Sequence, residues 1–263
     1  FLNTIQLQIY KIFNVPRVQQ GGKWRNGYCE HNNEFFIFAN IGIPGKTDAG
    51  EYDYKNKIND NDENIPGWKK SHIFLSKYPN VKIISGIDNT GNLLNVDNLW
   101  HCYSNYKNSI DFITGDGGFD FSVNFNQQEH LSIKLIFAQI VYAIALQKKG
   151  GTFVLKIFDI FTKTTSDIMY LLSTLYKQVF IVKPNTSRLA NSEKYIVCKY
   201  FKEPQHLLMN KIISEYPKLQ SKPFISSLFN FNLDYFYINK IEEYNAIFGQ
   251  QQIENISCTL NLI

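Results

Sequence analysis

One unbroken unit between residues 111 and 158 constrains the fold more than any other stretch. Asp111-Phe112-Ile113-Thr114 has the composition of a short buried strand, and Gly115-Asp116-Gly117-Gly118 is a tight loop. Residues 127–148 then place Leu131, Leu135, Ile136, Ile140 and Ile144 on one buried helical stripe. Gly150-Gly151 ends the helix, and residues 152–158 form a second apolar run. A strand, a helix and a strand in this order make a parallel crossover, because parallel neighbours need a long connection, usually a helix. Around this unit, residues 35–39 and 81–85 read as strands, 163–176 as a helix, and 179–182 and 195–200 as strands. Such alternation predicts an α/β fold with a mostly parallel sheet flanked by helices.

Elsewhere the signal is shorter. Residues 1–13 carry Leu2, Ile5, Ile9, Ile12 and Phe13 at helical spacing before Pro16, predicting a short amphipathic helix. Residues 52–58 alternate imperfectly as a further strand, and beyond Pro204 the pattern turns helical and aromatic. The expected organisation is an N-terminal helix and loop over 1–33, a core domain over 34–203, and a helical extension over 204–263. A hydrophobic share of 44% supports a full core and excludes a disordered chain. Lys and Arg number 27 against 23 Asp and Glu, a balance that tolerates an anionic partner without naming one. Cys29, Cys102, Cys198 and Cys258 lie far apart without a C-x-x-C pair, which argues against a zinc knuckle or disulfide framework and for a reducing, intracellular setting. The most apolar stretch, 135–146, is interrupted by Gln139 and shorter than the roughly 18 residues a bilayer span requires, so no membrane partner is expected. Beginning at Phe1 without a leader pattern, the chain reads as a trimmed or processed product.

In open parallel sheets ligands bind beyond the carboxyl ends of the strands, so the residues just after each strand are the place to look for chemistry. Asp116 sits there in a glycine-rich loop that admits close approach of a ligand, although the same loop also fits an ordinary capped turn. Lys156, surrounded by apolar residues near the end of its strand, must be paired or lose its charge. Glu193 opens the last strand and completes a carboxylate, amine, carboxylate set. Asp88-Asn89-Thr90-Gly91-Asn92 offers groups able to read an adenine or ribose edge, or simply makes a polar turn. Lys183 and Arg188 flank a loop beside the same crevice, placed to meet phosphates. Neither G-x-G-x-x-G nor G-x-x-x-x-G-K-[ST] occurs, which argues against dinucleotide and P-loop sites, and no metal site is predicted.

Three segments together resemble the FtsJ-type ribose 2′-O-methyltransferases. They are Thr114-Gly115-Asp116-Gly117-Gly118-Phe119, Gly151-Thr152-Phe153-Val154-Leu155-Lys156-Ile157-Phe158, and the run from Lys183-Pro184 through Ser187-Arg188 and Asn191-Ser192-Glu193 to Tyr195. Within that family they are most similar to the eukaryotic and viral mRNA cap enzymes, over about residues 35–199. The resemblance implies a Rossmann-like class I fold with a seven-stranded sheet, S-adenosylmethionine as cofactor, and a Lys-Asp-Lys-Glu tetrad. Its last three members fall on Asp116, Lys156 and Glu193. The first falls at or just before Phe1, with Lys11 a poor substitute because it lies too close to Pro16-Arg17. The cofactor loop keeps Gly42, Pro44 and Gly45, while Ala39 stands where the family has an acidic residue and Asn92 where an Asp reads the adenine, beside Asp88. Between Gly45 and Tyr52 there is no room for a crossover helix, so residues are expected to be missing after Gly45.

By the same resemblance, Lys183, Ser187, Arg188, Asn191 and Ser192 contact RNA. The substrate implied is the 5′ end of capped mRNA, methylated at the first or second transcribed nucleotide, with other capping or transcription proteins as further partners. Ribosomal or transfer RNA is the alternative substrate, and a non-catalytic RNA-binding scaffold, motivated by Ala39, is the alternative class. Lys156 is expected to be the base, with Asp116 and Glu193 orienting its amine. Nucleus and cytoplasm are both open, the cytoplasmic replication site being expected if the protein is viral.

Overall fold

Strand direction organises the molecule. The computed structural model describes residues 5–10, 35–40, 81–84, 86–88, 92–116, 128–184, 187–202, 206–222 and 224–262. Its strands are β1 Ile5–Tyr10, β2 Phe35–Asn40, β3 Val81–Ile84, β4 Ile110–Gly115, β5 Gln147–Ile157, β6 Tyr176–Val182 and β7 Lys194–Phe201. Its helices are α1 Val96–Tyr106, α2 Gln128–Leu146, α3 Lys163–Leu175, α4 His206–Ser221 and α5 Tyr235–Leu260. The strands form one sheet in the order β3-β2-β1-β4-β5-β7-β6. β2 to β6 all run one way, and β1 and β7 run the other.

The sheet is therefore mixed, which corrects the expectation of a mostly parallel one: among the described strands only β2–β3 and β4–β5 pair in parallel. Two reversals account for this. The described residues of the link from β6 to β7 contain no helix, and these strands close as an antiparallel hairpin, with β7 inserted beside β5. At the other side β1 pairs antiparallel with both β2 and β4. Residues 5–10 are thus a strand rather than the expected helix. Ile5, Leu7 and Ile9 alternate strictly with Gln6 and Gln8, a period of two inside a sequence that also happened to satisfy a helical spacing.

The crossover unit forms in the expected order, but α2 ends at Leu146 and β5 begins at Gln147, so Gly150-Gly151, expected to end the helix, lie within the strand. α2 joins β4 to its parallel neighbour β5 and is buried on nearly every side, since β4, β5, α1, α3 and α4 all pack against it. Leu135, Ile136, Ile140 and Ile144 lie in the core as expected, together with Phe137, Val141 and Tyr142 from the rest of the circumference. Leu131, also expected inside, is 49% exposed: it lies on the outward side of a first turn whose Glu129, Ser132 and Ile133 are buried. At 19 residues α2 is by length and composition able to cross a bilayer, but its apolar surface is consumed by the fold. Phe153, Leu155, Ile157, Ile196 and Cys198 point from β5 and β7 into the same core. The intervening residues, Lys156 among them, face the opposite side of the sheet.

Helix α1 follows the turn read over residues 88–92, in a stretch to which the sequence reading assigned no element. Asn95 caps it by accepting from the Asp97 amide, and Leu99, Cys102, Tyr103 and Tyr106 give it an apolar stripe. Beyond β7, α4 and α5 occupy the region expected to be helical. Tyr216 of α4 donates to the Leu93 carbonyl at 2.6 Å, and the chain between α4 and α5 is fixed by buried Asp167, which accepts from Ser227 Oγ and the Leu228 amide.

Candidate active site

Because β3, β4, β5 and β6 share a direction, their carboxyl ends meet at one edge of the sheet, and β7 starts from that same edge. Asp116 is the first residue beyond β4 and Lys156 the penultimate residue of β5. Their side chains form an ion pair, with Lys156 17% exposed and the Asp116 carboxylate 54% exposed. Across the β5–β7 ladder, Lys156 stands opposite Tyr195. The Tyr195 hydroxyl donates to Oε1 of Glu193 at 3.0 Å, and Ser187 Oγ reaches the same oxygen at 3.1 Å. Burial, then the nearby charges of Glu193 and Asp116, push the Tyr195 phenol above its ordinary range and keep it a proton donor. The three residues singled out in the sequence are thus gathered around Tyr195, which the sequence reading gave no role. Lys156 pairs with Asp116, while Glu193 takes its hydrogen bonds from Tyr195 and Ser187.

The β6–β7 loop holds the residues expected to contact RNA. Arg188 is exposed. Ser192 Oγ lies 3.3 Å from Gln128 Oε1 at the start of α2. Lys183 turns into the loop and donates to the Asn191 carbonyl at 2.8 Å, to Asn191 Oδ1 at 2.9 Å and to the Glu193 carbonyl at 2.7 Å. Burial and the neighbouring ammonium of Lys194 hold its pKa below the ordinary lysine value. Lys194 is 4% exposed and donates to the carbonyls of Phe158 and Ser192 and to Asp159 Oδ1.

Surrounding elements brace these loops. Next to Gln128, buried Glu129 accepts from the amides of Phe161 and Thr162 and from the Thr162 hydroxyl, holding the β5–α3 connection. Helix α5 crosses both loops: Asn245 donates to the Ile160 carbonyl at 2.7 Å, Gln252 to the Ala190 carbonyl at 3.1 Å, and the Phe248 ring lies under the Lys194 ammonium.

At the end of β3, Gly86 takes φ +80°, and a Cβ there would meet Asn98 Oδ1 at 2.2 Å. Buried Asn98 occupies that space because it organises the loop. It accepts from the Ile87 amide at 2.9 Å and donates to Asp88 Oδ1 at 2.9 Å and to the Asn92 carbonyl at 3.0 Å. Asn95 donates to the other oxygen of Asp88. The Asp88 carboxylate therefore shapes the turn, and among its described residues Ile87, 63% exposed, is offered outward. Asn98 and Ile87 were missed in the sequence; the legible signal was the cap Asn95, which implies a helix whose first turn lies beside the loop. Gly42, Pro44, Gly45, the strand expected over 52–58 and the space for a further helix after Gly45 lie outside the described residues.

A family model of FtsJ-like methyltransferases matches residues 61–201, more than half of the chain. The cap-specific mRNA (nucleoside-2′-O-)-methyltransferase 1 of Trypanosoma brucei brucei is 40% identical over 115 residues, covering 43% of this chain and 31% of that protein. Methyltransferase 2 of the same description from Pongo abelii is 33% identical over 183 residues, 67% of this chain and 23% of that protein. The chain thus spans a third or less of the length of these relatives. Among solved structures, a ribosomal RNA methyltransferase from Plasmodium falciparum aligns at 27% identity with a TM-score of 0.33, over 47% of this chain and 65% of that one.

Proposed function

The chain belongs to the FtsJ-like methyltransferase family, and from that premise we propose that it transfers a methyl group from S-adenosylmethionine to a ribose 2′-hydroxyl at the 5′ end of capped mRNA. The observation that carries the reading is the Lys156–Asp116 ion pair at the adjoining ends of β4 and β5, with Tyr195 opposite the lysine and Glu193 held by that tyrosine. The cap-specific names of the relatives support the choice of substrate; methylation at the first or second transcribed nucleotide is what the resemblance implies.

When bound, S-adenosylmethionine supplies an activated methyl on a sulfonium. The residues at the strand ends suit such a molecule: exposed Ile87 offers an apolar edge to a flat ring in a loop held rigid by Asn98, and Asp116 presents an exposed carboxylate. Asp88 and Asn92 flank that position, and the resemblance adds Gly42, Pro44 and Gly45. Within this site Lys156, once its ammonium has given up a proton to water, takes the proton of the ribose hydroxyl. Asp116 holds the amine by the ion pair, and Glu193 is set opposite it through Tyr195. The exposed Arg188 is the residue of the β6–β7 loop offered to the phosphates of the RNA. Such a reaction belongs inside the cell, in nucleus or cytoplasm, wherever capping takes place.

The test is methyl transfer from labelled S-adenosylmethionine to matched capped and uncapped RNAs by the full-length protein. Cap-dependent label on a ribose hydroxyl is expected. Cap-independent label would move the substrate to another RNA, and no transfer together with no cofactor binding would overturn the enzymatic reading.

A further inference from the structure

We propose that Lys183 and Lys194 are positioning residues, two lysine clamps that close on the backbone either side of Glu193 and fix where its carboxylate stands during transfer. The proposal rests on the methyltransferase reading and adds to it two side chains outside the carboxylate and amine set.

A lysine taken from water needs acceptors for its three protons. Lys183 follows the last residue of β6, and its amine has three oxygen partners on the far arm of the loop: the Asn191 carbonyl, Asn191 Oδ1 and the Glu193 carbonyl, all within 2.9 Å. Lys194 opens β7 and is buried, and its amine holds the Ser192 carbonyl at 3.0 Å, Asp159 Oδ1 at 3.1 Å and the Phe158 carbonyl at 3.4 Å. One lysine thus grips the carbonyl of Glu193 and the other that of the residue before it. The Glu193 amide is fixed as well, donating to Asn191 Oδ1 at 3.2 Å, the same oxygen that Lys183 holds. Lys194 also joins this turn to Phe158 and Asp159, just after the strand that carries Lys156. The backbone of Glu193 is therefore locked both to its own hairpin and to the end of β5.

A lysine serving as a phosphate contact has to offer its ammonium to the ligand, whereas the amine of Lys183 is spent within the loop. Burial and the closeness of Lys194 hold its pKa down, as expected for an amine turned inward beside a second one. A hairpin of this length closes without buried ammonium groups. Two ammonium groups on consecutive carbonyls at the site carboxylate, that of Lys194 buried and that of Lys183 partly buried, indicate control of geometry, where a displacement of about 1 Å costs on the order of a hundredfold in rate.

The experiment uses the full-length protein and the variants Lys183→Met, Lys183→Arg, Lys194→Met and Lys194→Arg. It measures kcat and KM for capped RNA, RNA affinity against salt, and thermal melting. The Met variants are expected to lose about 10- to 100-fold in kcat with little change in KM or in the salt dependence of binding, and the Arg variants to recover part of the loss. Should Lys183→Met or Lys194→Met fail to fold, the same split in the charged Arg variants decides the question. An increase in KM at unchanged kcat, with the salt slope reduced by about 1, would make Lys183 a phosphate contact and overturn the proposal. Wild-type kcat and KM in folded variants would overturn it too. No transfer by the unsubstituted protein, read first in the same assay, overturns the methyltransferase reading and takes this proposal with it.

Discussion

Lys156 shows how a single residue carries meaning that its neighbours do not. Its flanking residues are apolar because they line the core, and it alternates out of them toward the opposite face of β5, where Asp116 meets it. Replacing it with Ala is expected to remove the proton acceptor and lower transfer by about 10²- to 10⁴-fold. Cofactor binding, followed by calorimetry, should survive; undiminished transfer would end its assignment as base. The places of Asp116, Lys156 and Glu193 at strand ends were legible in the sequence because such ends are marked by glycine and by polar residues interrupting apolar runs. Lys194 and Tyr195 were not, since a lysine and a tyrosine opening a strand look the same whether they lie on the surface or beneath a loop. Asn98 is a similar case, an asparagine that reads as solvent-facing until Gly86 at φ +80° brings a backbone turn onto it. Gly86→Ala must pay both for left-handed backbone, about 1–2 kcal/mol, and for displacing Asn98, so the variant should melt earlier and bind S-adenosylmethionine more weakly. Wild-type melting and affinity in that variant would refute the role given to this loop.

Among the elements, legibility followed the number of constraints that agreed. α2 and the apolar half of β5 were clear because apolar spacing and strand length agreed, whereas the glycine pair read as the helix end lies inside β5, which starts directly after α2. β1 was misread because one short segment satisfied two periods, and only its pairing with β2 and β4 selects the strand. α1 was overlooked although its cap and stripe are present, because the turn residues before it dominated the reading. Direction was recoverable for β7, given that its connection to β6 is too short for a crossover. A bracing role also belongs at this level. Glu129, at the start of α2, binds two backbone amides of the β5–α3 connection, so Glu129→Ala leaves those donors without their acceptor. The expected loss is about 2 kcal/mol in denaturant unfolding, with Glu129→Gln intermediate, because an amide oxygen still accepts but carries no charge. Equal stability of Glu129→Ala and the unsubstituted protein would show that the carboxylate is idle.

For the whole molecule, the consequence of a core closed by α2, α4 and the two ends of the sheet is that several proton-releasing groups are sealed inside it. Burial pushes the thiols of Cys102 and Cys198 and the phenols of Tyr142, Tyr176, Tyr216 and Tyr237 above their ordinary ranges, and Tyr195 follows with the help of Glu193. In the unfolded chain thiols ionise near pH ~8.5 and phenols near pH ~10, whereas the folded chain retains those protons. Above these values the native state binds more protons than the unfolded state, so stability must fall as pH rises. The contribution of each group is complete below its ordinary pKa and is lost as pH climbs toward the raised one. The melting temperature is therefore expected to hold through neutrality, to begin falling near pH ~8.5 as the thiols of the unfolded chain ionise, and to fall more steeply above pH ~10 as the phenols join. Replacing Cys102 and Cys198 with Ala should flatten the first part of the decline and leave the second, which separates this cause from general alkaline damage. A melting temperature independent of pH between 8 and 11 would mean that these groups are open to solvent. That result would contradict the packing that brings β4, β5 and β7 together at the site.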